Sequence, residues 1–243
     1  MASDFDLLFQ NPDELTRLES HSLSRVFERY GVKSVLDCAA GTGIQAIGLA
    51  EGGYDVSASD ISDKMLKQLG RKAADKRLRI PTALADFRTL EPWKGSTFDA
   101  VICCGNSIPL VADLDEVRRS LRAMTSVTRL HGIGVVGLHN YLWPGLKKHR
   151  LSYRGTRVNR EGIEMRVDFR LYDLGRVKVN YLCVRLGRRP WFTQYVKSYL
   201  LLRPQALANL MLDCGYKSAR ILDRRGFELH EGFDEFPLVV GET

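Results

Sequence analysis

Residues 35–43 read Val-Leu-Asp-Cys-Ala-Ala-Gly-Thr-Gly, an apolar run that breaks into a glycine turn, and apolar residues at helical spacing follow over 44–52. A strand that turns into a helix within a few residues commits the chain to a βαβ unit, and so to an α/β fold with a parallel sheet. Glycine at 41 and 43 lets the backbone turn sharply and come close to a ligand that a side chain would hold away. The turn suits a nucleoside. A phosphate-binding fingerprint would carry a third glycine three residues after Gly43, where this chain has Ala46, and no Lys-Ser/Thr pair follows to make a phosphate loop.

The same alternation extends along the chain. Periodicity and end signals predict an opening helix between Leu15 and Tyr30, strands at 33–38, 54–59, 80–84, 98–103 and 133–138, and helices at 62–76 and 115–129. Residues 150–158, 163–172, 176–185 and 191–200 are then rich in β-formers, and Asp173-Leu174-Gly175 is a turn between two of them. An antiparallel flap after strand five is expected. A helix over 205–214 and strands at 216–222 and 237–240 complete a seven-stranded sheet. The expected organisation is a helical segment or lid over 1–32, a ligand-binding core over 33–145, the flap over 146–200, and a closing part over 201–243.

Charge is uneven. Of the formal +7, residues 147–203 hold fifteen Lys/Arg against four acids, +11, which leaves the remainder at −4. The five cysteines are scattered with no Cys-x-x-Cys pair, and the histidines are dispersed, so structural thiols and no metal site are expected. No apolar run approaches membrane-spanning length, and the acidic start lacks the order of a secretory signal. A cytoplasmic protein without a membrane partner follows from this reading.

Polar residues recur where strands should end. Asp60 closes strand two, at the place where a carboxylate can accept hydrogen bonds from ribose hydroxyls. Ala85-Asp86-Phe87 offers an acid and a ring for a base, and Gly105-Asn106-Ser107 forms a polar turn after strand four. In an open α/β sheet these positions share one crevice. Asp86 as a turn cap and Phe87 as core are the competing local readings.

With these pieces in order, the chain resembles the Rossmann-like S-adenosylmethionine-dependent methyltransferases, and within them the glycine and sarcosine N-methyltransferase branch. The resemblance rests on 35–43, Ser-Asp-Ile-Ser-Asp-Lys-Met-Leu at 59–66, Ala-Asp-Phe at 85–87, Phe-Asp-Ala-Val-Ile-Cys-Cys-Gly-Asn-Ser at 98–107 and His-Asn-Tyr at 139–141. It implies S-adenosyl-L-methionine as cofactor and S-adenosyl-L-homocysteine as product. Asp37, Ala39 and Gly41 would line the methionine portion, Asp60 the ribose, and Met65 with Asp86-Phe87 the adenine. Asn106 and the backbone of Cys104 would form the inner edge, with Gly43 and Ile61 completing the set. Arg17 lies near the place where the family carries an arginine for the methionine carboxylate.

The acceptor half departs from the family. Asn140 matches a position that contacts the amino-acid substrate, but His139 stands where the pattern has arginine. The family's later arginine, which grips the substrate carboxylate, falls at Tyr199, between Lys197 and Arg203. These departures argue against free glycine.

The expected reaction is in-line methyl transfer to a small-molecule acceptor, at nitrogen by the resemblance, with orientation supplying the rate. His139, Asn140 and Tyr199 are the candidate catalytic residues, and His139 has a suitable pKa for a base. O- or C-methylation in secondary metabolism, an RNA-directed enzyme using the +11 lobe, and a silent cofactor-binding partner subunit are the alternatives. Nucleic acid is disfavoured because the flap shows no stacking aromatic pattern and the Asn/Asp-Pro-Pro-aromatic tetrapeptide of base-amine enzymes is missing. A homo-oligomer is compatible with the sequence.

Two local readings compete with function. His139 and Asn140 could end strand five with their side chains on nearby backbone. Arg166, Asp168 and Arg170 alternate with Val167, Phe169 and Leu171 as in a sheet with one solvated, ion-paired face; attraction of an anionic substrate is the alternative.

Overall fold

The computed structural model describes residues 12–159, 162–188, 190–229 and 234–243. The first eleven residues of the expected N-terminal lid therefore lie outside the described residues. The chain enters through α1 (Pro12–Tyr30) and continues as β1 (Ser34–Asp37), α2 (Ile44–Glu51), β2 (Asp55–Asp60), α3 (Asp63–Asp75), β3 (Thr82–Leu84), β4 (Phe98–Cys103), α4 (Leu114–Ser126) and β5 (Thr128–Gly137). After α5 (Pro144–Lys148) come β6 (Leu151–Asn159), β7 (Gly162–Asp173), β8 (Arg176–Gly187) and β9 (Trp191–Leu200), then α6 (Pro204–Asp213), β10 (Ser218–Leu222) and β11 (Leu238–Glu242).

Seven strands form one sheet in the order β10-β11-β5-β4-β1-β2-β3, in which β1 to β5 are parallel and β11 is inserted antiparallel between β5 and β10. Both faces are covered, so the central strands are apolar on both sides. Leu36, Val101 and Val136 pack under Val117, Leu121 and Met124 of α4 and Leu207 and Met211 of α6. Val35, Ile102 and Val135 pack on the other face under Leu23, Val26 and Phe27 of α1 and Ala46 and Leu49 of α2. The strand order reverses between β1 and β4, where successive connections run to opposite sides of the sheet, and this opens the crevice at their carboxyl ends.

β5 starts at Thr128 rather than Ile133, and α4 ends at Ser126 rather than at residue 129. Thr128 pairs with Phe98 of β4, and the ladder resumes at Ala100↔Ile133 after a bulge. His131 takes a left-handed φ of 60° in that bulge. Pairing with a buried neighbour has overridden the local helical spacing.

The flap is a four-stranded antiparallel sheet, β6-β7-β8-β9, turned at Leu174-Gly175 with Gly175 at φ 68°. Tyr141, Leu146, Val177, Val179 and Tyr199 seal it against the core. Arg176 fastens the same edge, donating to the carbonyls of Val111 at 3.2 Å and Ala112 at 2.8 Å and to Ser198 Oγ at 2.9 Å.

One face assignment is reversed. The solvated face expected for Arg166, Asp168 and Arg170 is the inner one: Asp168 is 2% and Arg170 0% exposed, whereas Phe169 and Leu171 are 39% and 44% exposed. The period-2 alternation is present, but alternation alone does not say which face meets the core.

Candidate active site

The glycine turn between β1 and α2 is held by backbone and carboxylate. Ala40 N–H donates to Ser59 O at 3.0 Å, and Gly43 N–H to Ala40 O at 2.8 Å. Gly43 lies at φ 92°, where a Cβ would come within 2.9 Å of Leu69 Cγ. Asp60 spans the crevice floor, Oδ2 accepting from Gly41 N–H and Oδ1 from Ser62 N–H, both at 2.8 Å. Each oxygen keeps a further lone pair for a ligand.

Asp37 lies behind this turn. Its Oδ1 accepts from Ala39 N–H at 3.3 Å, and its buried Oδ2 has no partner. Burial pushes the carboxyl up to about 7, with the nearby Asp60 charge adding to the rise against the Ala39 hydrogen bond. Across the crevice Asn106 has a left-handed φ of 63°; its Oδ1 accepts from His139 N–H at 2.9 Å, and its buried Nδ2 lacks a partner.

A cavity of about 520 Å³ runs from this cradle to the inner face of the flap. Of the expected residues, Ala39, Gly41, Asp60, Ile61, Met65, Phe87, Cys104, Asn106, His139 and Tyr199 line it. Asp37 and Gly43 shape the turn without reaching its wall. Arg17 is exposed and not on the wall, while Leu15 and Glu19 of the same helix are. Two residues at 100° each carry Arg17 round to the far side of α1.

Asp86 is also off the wall. Its carboxylate accepts from Arg88 Nη2 at 2.6 Å and Nε at 2.9 Å, and Arg88 in turn reaches Glu116. The Arg88 hydrogen bonds hold the Asp86 carboxyl below the usual range. Asp86 fixes the turn that presents Phe87.

Asn140 is likewise committed elsewhere. Fully buried, it donates from Nδ2 to Asp234 O at 3.3 Å and accepts Leu142 N–H on Oδ1 at 3.2 Å, tying the end of β5 to the segment before β11. The local-backbone reading covers only the Leu142 contact, since Asp234 is remote in the chain. Asn140→Ala is expected to destabilise the fold by about 1–3 kcal/mol, from buried groups left unpaired, while leaving S-adenosylhomocysteine affinity within about twofold. Thermal melts and calorimetric titration check this.

His139 does face the cavity. Its Nε2 lies 3.1 Å from Glu235 Oε1, and its ring centroid is 4.3 Å from Tyr141 and 4.6 Å from Phe236. Burial lowers the imidazole pKa and outweighs the opposing Glu235 contact, so the ring is neutral near pH 7. With Nε2–H directed at Glu235, Nδ1 is left as an acceptor. Burial alone would raise Glu235, but His139 and Arg154 bring it below the usual range. Tyr199 shares a 3.0 Å hydrogen bond with Tyr181, and burial pushes its phenol up.

Glu19, Arg154, Tyr181 and Glu235 belong to the site and were not singled out by the sequence. The Arg-x-Asp-x-Arg alternation on β7 pointed towards the flap's inner face without revealing its orientation. Glu235 lies in an irregular segment with no periodic signal.

The mixed sheet with its glycine turn, acidic strand end and polar crevice has a Rossmann-like layout, and residues 35–132 match the methyltransferase-domain family. The chain is 35% identical over 159 residues to a glycine/sarcosine N-methyltransferase of Aphanothece halophytica, covering 61% of this chain and 60% of that one. It is 34% identical over 129 residues to the glycine N-methyltransferase of Oryctolagus cuniculus, covering 48% and 44%. The chain thus spans no more than 60% of either relative. The fold is shared with a sugar N-methyltransferase from Streptoalloteichus, at TM-score 0.76 and 22% identity over 93% of this chain and 87% of that one.

Proposed function

We propose that the protein transfers a methyl group from S-adenosylmethionine to a nitrogen of a small-molecule acceptor held between the sheet and the flap. One observation carries this reading: a single cavity joins the Gly41–Asp60 cradle to His139 and the inner flap. The similarity to glycine/sarcosine N-methyltransferases supports nitrogen as the target.

The residues present fit the cofactor. Asp60 has acceptor capacity left for ribose hydroxyls, the unpartnered Asn106 Nδ2 offers a donor on the cavity wall, and Met65 with Phe87 supplies apolar surface for a base. When bound, S-adenosylmethionine supplies a methyl group on a sulfonium that departs as a neutral thioether. The chain's own work is to orient the acceptor, exclude water and take a proton. Neutral His139, oriented by Glu235, accepts that proton at Nδ1. The sheet, the flap and α1 form the walls of the chamber.

The test is S-adenosylhomocysteine release from purified protein with a panel of small amines, alcohols and phenols. Turnover confined to amines is expected; no binding of S-adenosylmethionine ends the proposal. His139→Gln should lower kcat by about tenfold to a hundredfold, a general-base-sized loss, most severely below the pKa of the amine.

A further inference from the structure

In an antiparallel ladder, residues directly opposite one another project from the same face, so the register sorts the flap into an inner and an outer set. Tyr153, Val167 and Leu182 form one row of the outer face across β6 to β8, and Met165, Val184 and Phe192 form another across β7 to β9. Leu151 pairs with Phe169 and Val158 with Ile163 on the same face. A one-sided antiparallel sheet ordinarily turns its apolar face to the core and its polar face to water. Here Arg154, Arg166, Asp168 and Arg170 face the cavity, and the outer face is the apolar one.

Leu151, Tyr153, Val158, Leu186, Phe192 and Val196 are all more than half exposed, and Ile163, Phe169 and Leu171 add to the patch. No core cluster of the described residues contains any of these nine. At about 150–200 Å² for each side chain when fully exposed, they present roughly 800 Å² of apolar surface. That exceeds the about 300–600 Å² of the largest patch on a typical monomer and matches the about 800 Å² that one partner contributes to a standard interface.

The occupant this face fits is its own copy. Among the described residues its charged side chains, Asp173, Arg176 and Lys178, stand at the turn end, so its middle offers no charge for a partner of other chemistry to pair with. Its polar groups are partnered within the face: Gln194 Nε2 donates to Asn180 Oδ1 at 3.1 Å, and the Tyr153 hydroxyl bonds Thr156 Oγ1. Such a surface can be buried against apolar side chains at little polar cost. Two regular sheets pack about 10 Å apart with their side chains interdigitated, and a two-fold axis sets the same patch against itself.

We propose that two copies of this chain pack flap against flap through the outer faces of β6 to β9, forming an eight-stranded sandwich that buries about 1,600 Å² in all. The dimer does not depend on which acceptor the cavity takes, because the cavity lies on the opposite face of the flap.

The experiment measures the mass of the full chain by sedimentation velocity and light scattering over a concentration series. A dimer at about 10 μM protein is expected. Phe192→Glu with Val196→Glu on β9, and separately Leu151→Glu with Tyr153→Glu on β6, should each raise the dissociation constant of the dimer by at least about a hundredfold, since carboxylates would enter a dry interface. Leu130→Glu, at an exposed apolar residue outside the flap, should change it by no more than about twofold. S-adenosylhomocysteine affinity and a cooperative melt serve as folding controls. Hydroxyl-radical footprinting of the parent needs no variant: Tyr153 and Phe192 should be protected in the dimer and labelled on dilution to monomer, with Leu130 unchanged. A dimer that survives both pairs of substitutions, or that leaves Tyr153 and Phe192 labelled, overturns the proposal. So does a monomeric parent, whose outer face would then belong to another occupant, for which binding to vesicles of neutral lipid tests a membrane surface.

Discussion

Asp60→Ala is expected to lower S-adenosylhomocysteine affinity by about a hundredfold or more while the protein stays folded. Two charge-assisted hydrogen bonds to ribose hydroxyls at about 1.5–3 kcal/mol each set the scale. The carboxylate also organises the turn through Gly41 N–H and Ser62 N–H, so part of the loss comes from a slackened cradle. Asp60→Asn separates the two contributions: one amide oxygen can still accept a backbone N–H, and an intermediate affinity is expected. Calorimetric titration of both variants, with thermal melts as a folding control, makes the measurement. An affinity within about threefold of the parent for Asp60→Ala would remove the ribose assignment.

Asp37→Asn should stabilise the ligand-free protein at alkaline pH and flatten its stability profile. In the folded chain the carboxyl is raised by burial to about 7, above its value in the unfolded chain. Between the two values the folded state retains a proton that the unfolded state has released, so stability falls as pH rises through that window and levels off above about 7. The loss is on the order of 2–4 kcal/mol, since the unpartnered Oδ2 must then be charged in a dry site. Thermal melts from about pH 5 to about pH 8 should show the parent losing Tm and the Asn variant holding level. The same variant should bind S-adenosylmethionine more weakly, because the resemblance places the methionine portion of the cofactor beside Asp37. Parallel pH profiles for the two proteins would refute the raised carboxyl.

The two substitutions act chiefly on different quantities, affinity for Asp60 and ligand-free stability for Asp37, because the two carboxylates do different work. Asp60 is hydrogen-bonded and partly open, so removing it costs binding. Asp37 is sealed beneath the turn with one oxygen unsatisfied, a stability penalty consistent with a position kept for a ligand.

Much of the sheet side of the cavity was readable along the chain because it is local. The turn at Gly41-Thr42-Gly43, the strand-ending Asp60, Phe87 and Asn106 sit at fixed short distances from the strands that present them, and alternation of strand and helix brings strand ends to one crevice. Arg17 and Asp86 were misplaced for physical reasons that the sequence does not carry. Helical rotation took Arg17 away from the cavity, and Arg88 satisfied Asp86 two residues on. Asn140 was drawn to the backbone of a segment almost a hundred residues away.

By itself, then, the sequence determined the α/β class, the antiparallel insertion after strand five, and a tight glycine turn from strand to helix, since each follows from periodicity and glycine placement. Only the tertiary structure decided which face of the flap turns inward, and with it that Arg154, Arg166 and Arg170 border the cavity while Phe169 and Leu171 face outward. A strand's alternation is symmetric under exchange of its two faces, and packing on Tyr141 and Leu146 breaks that symmetry.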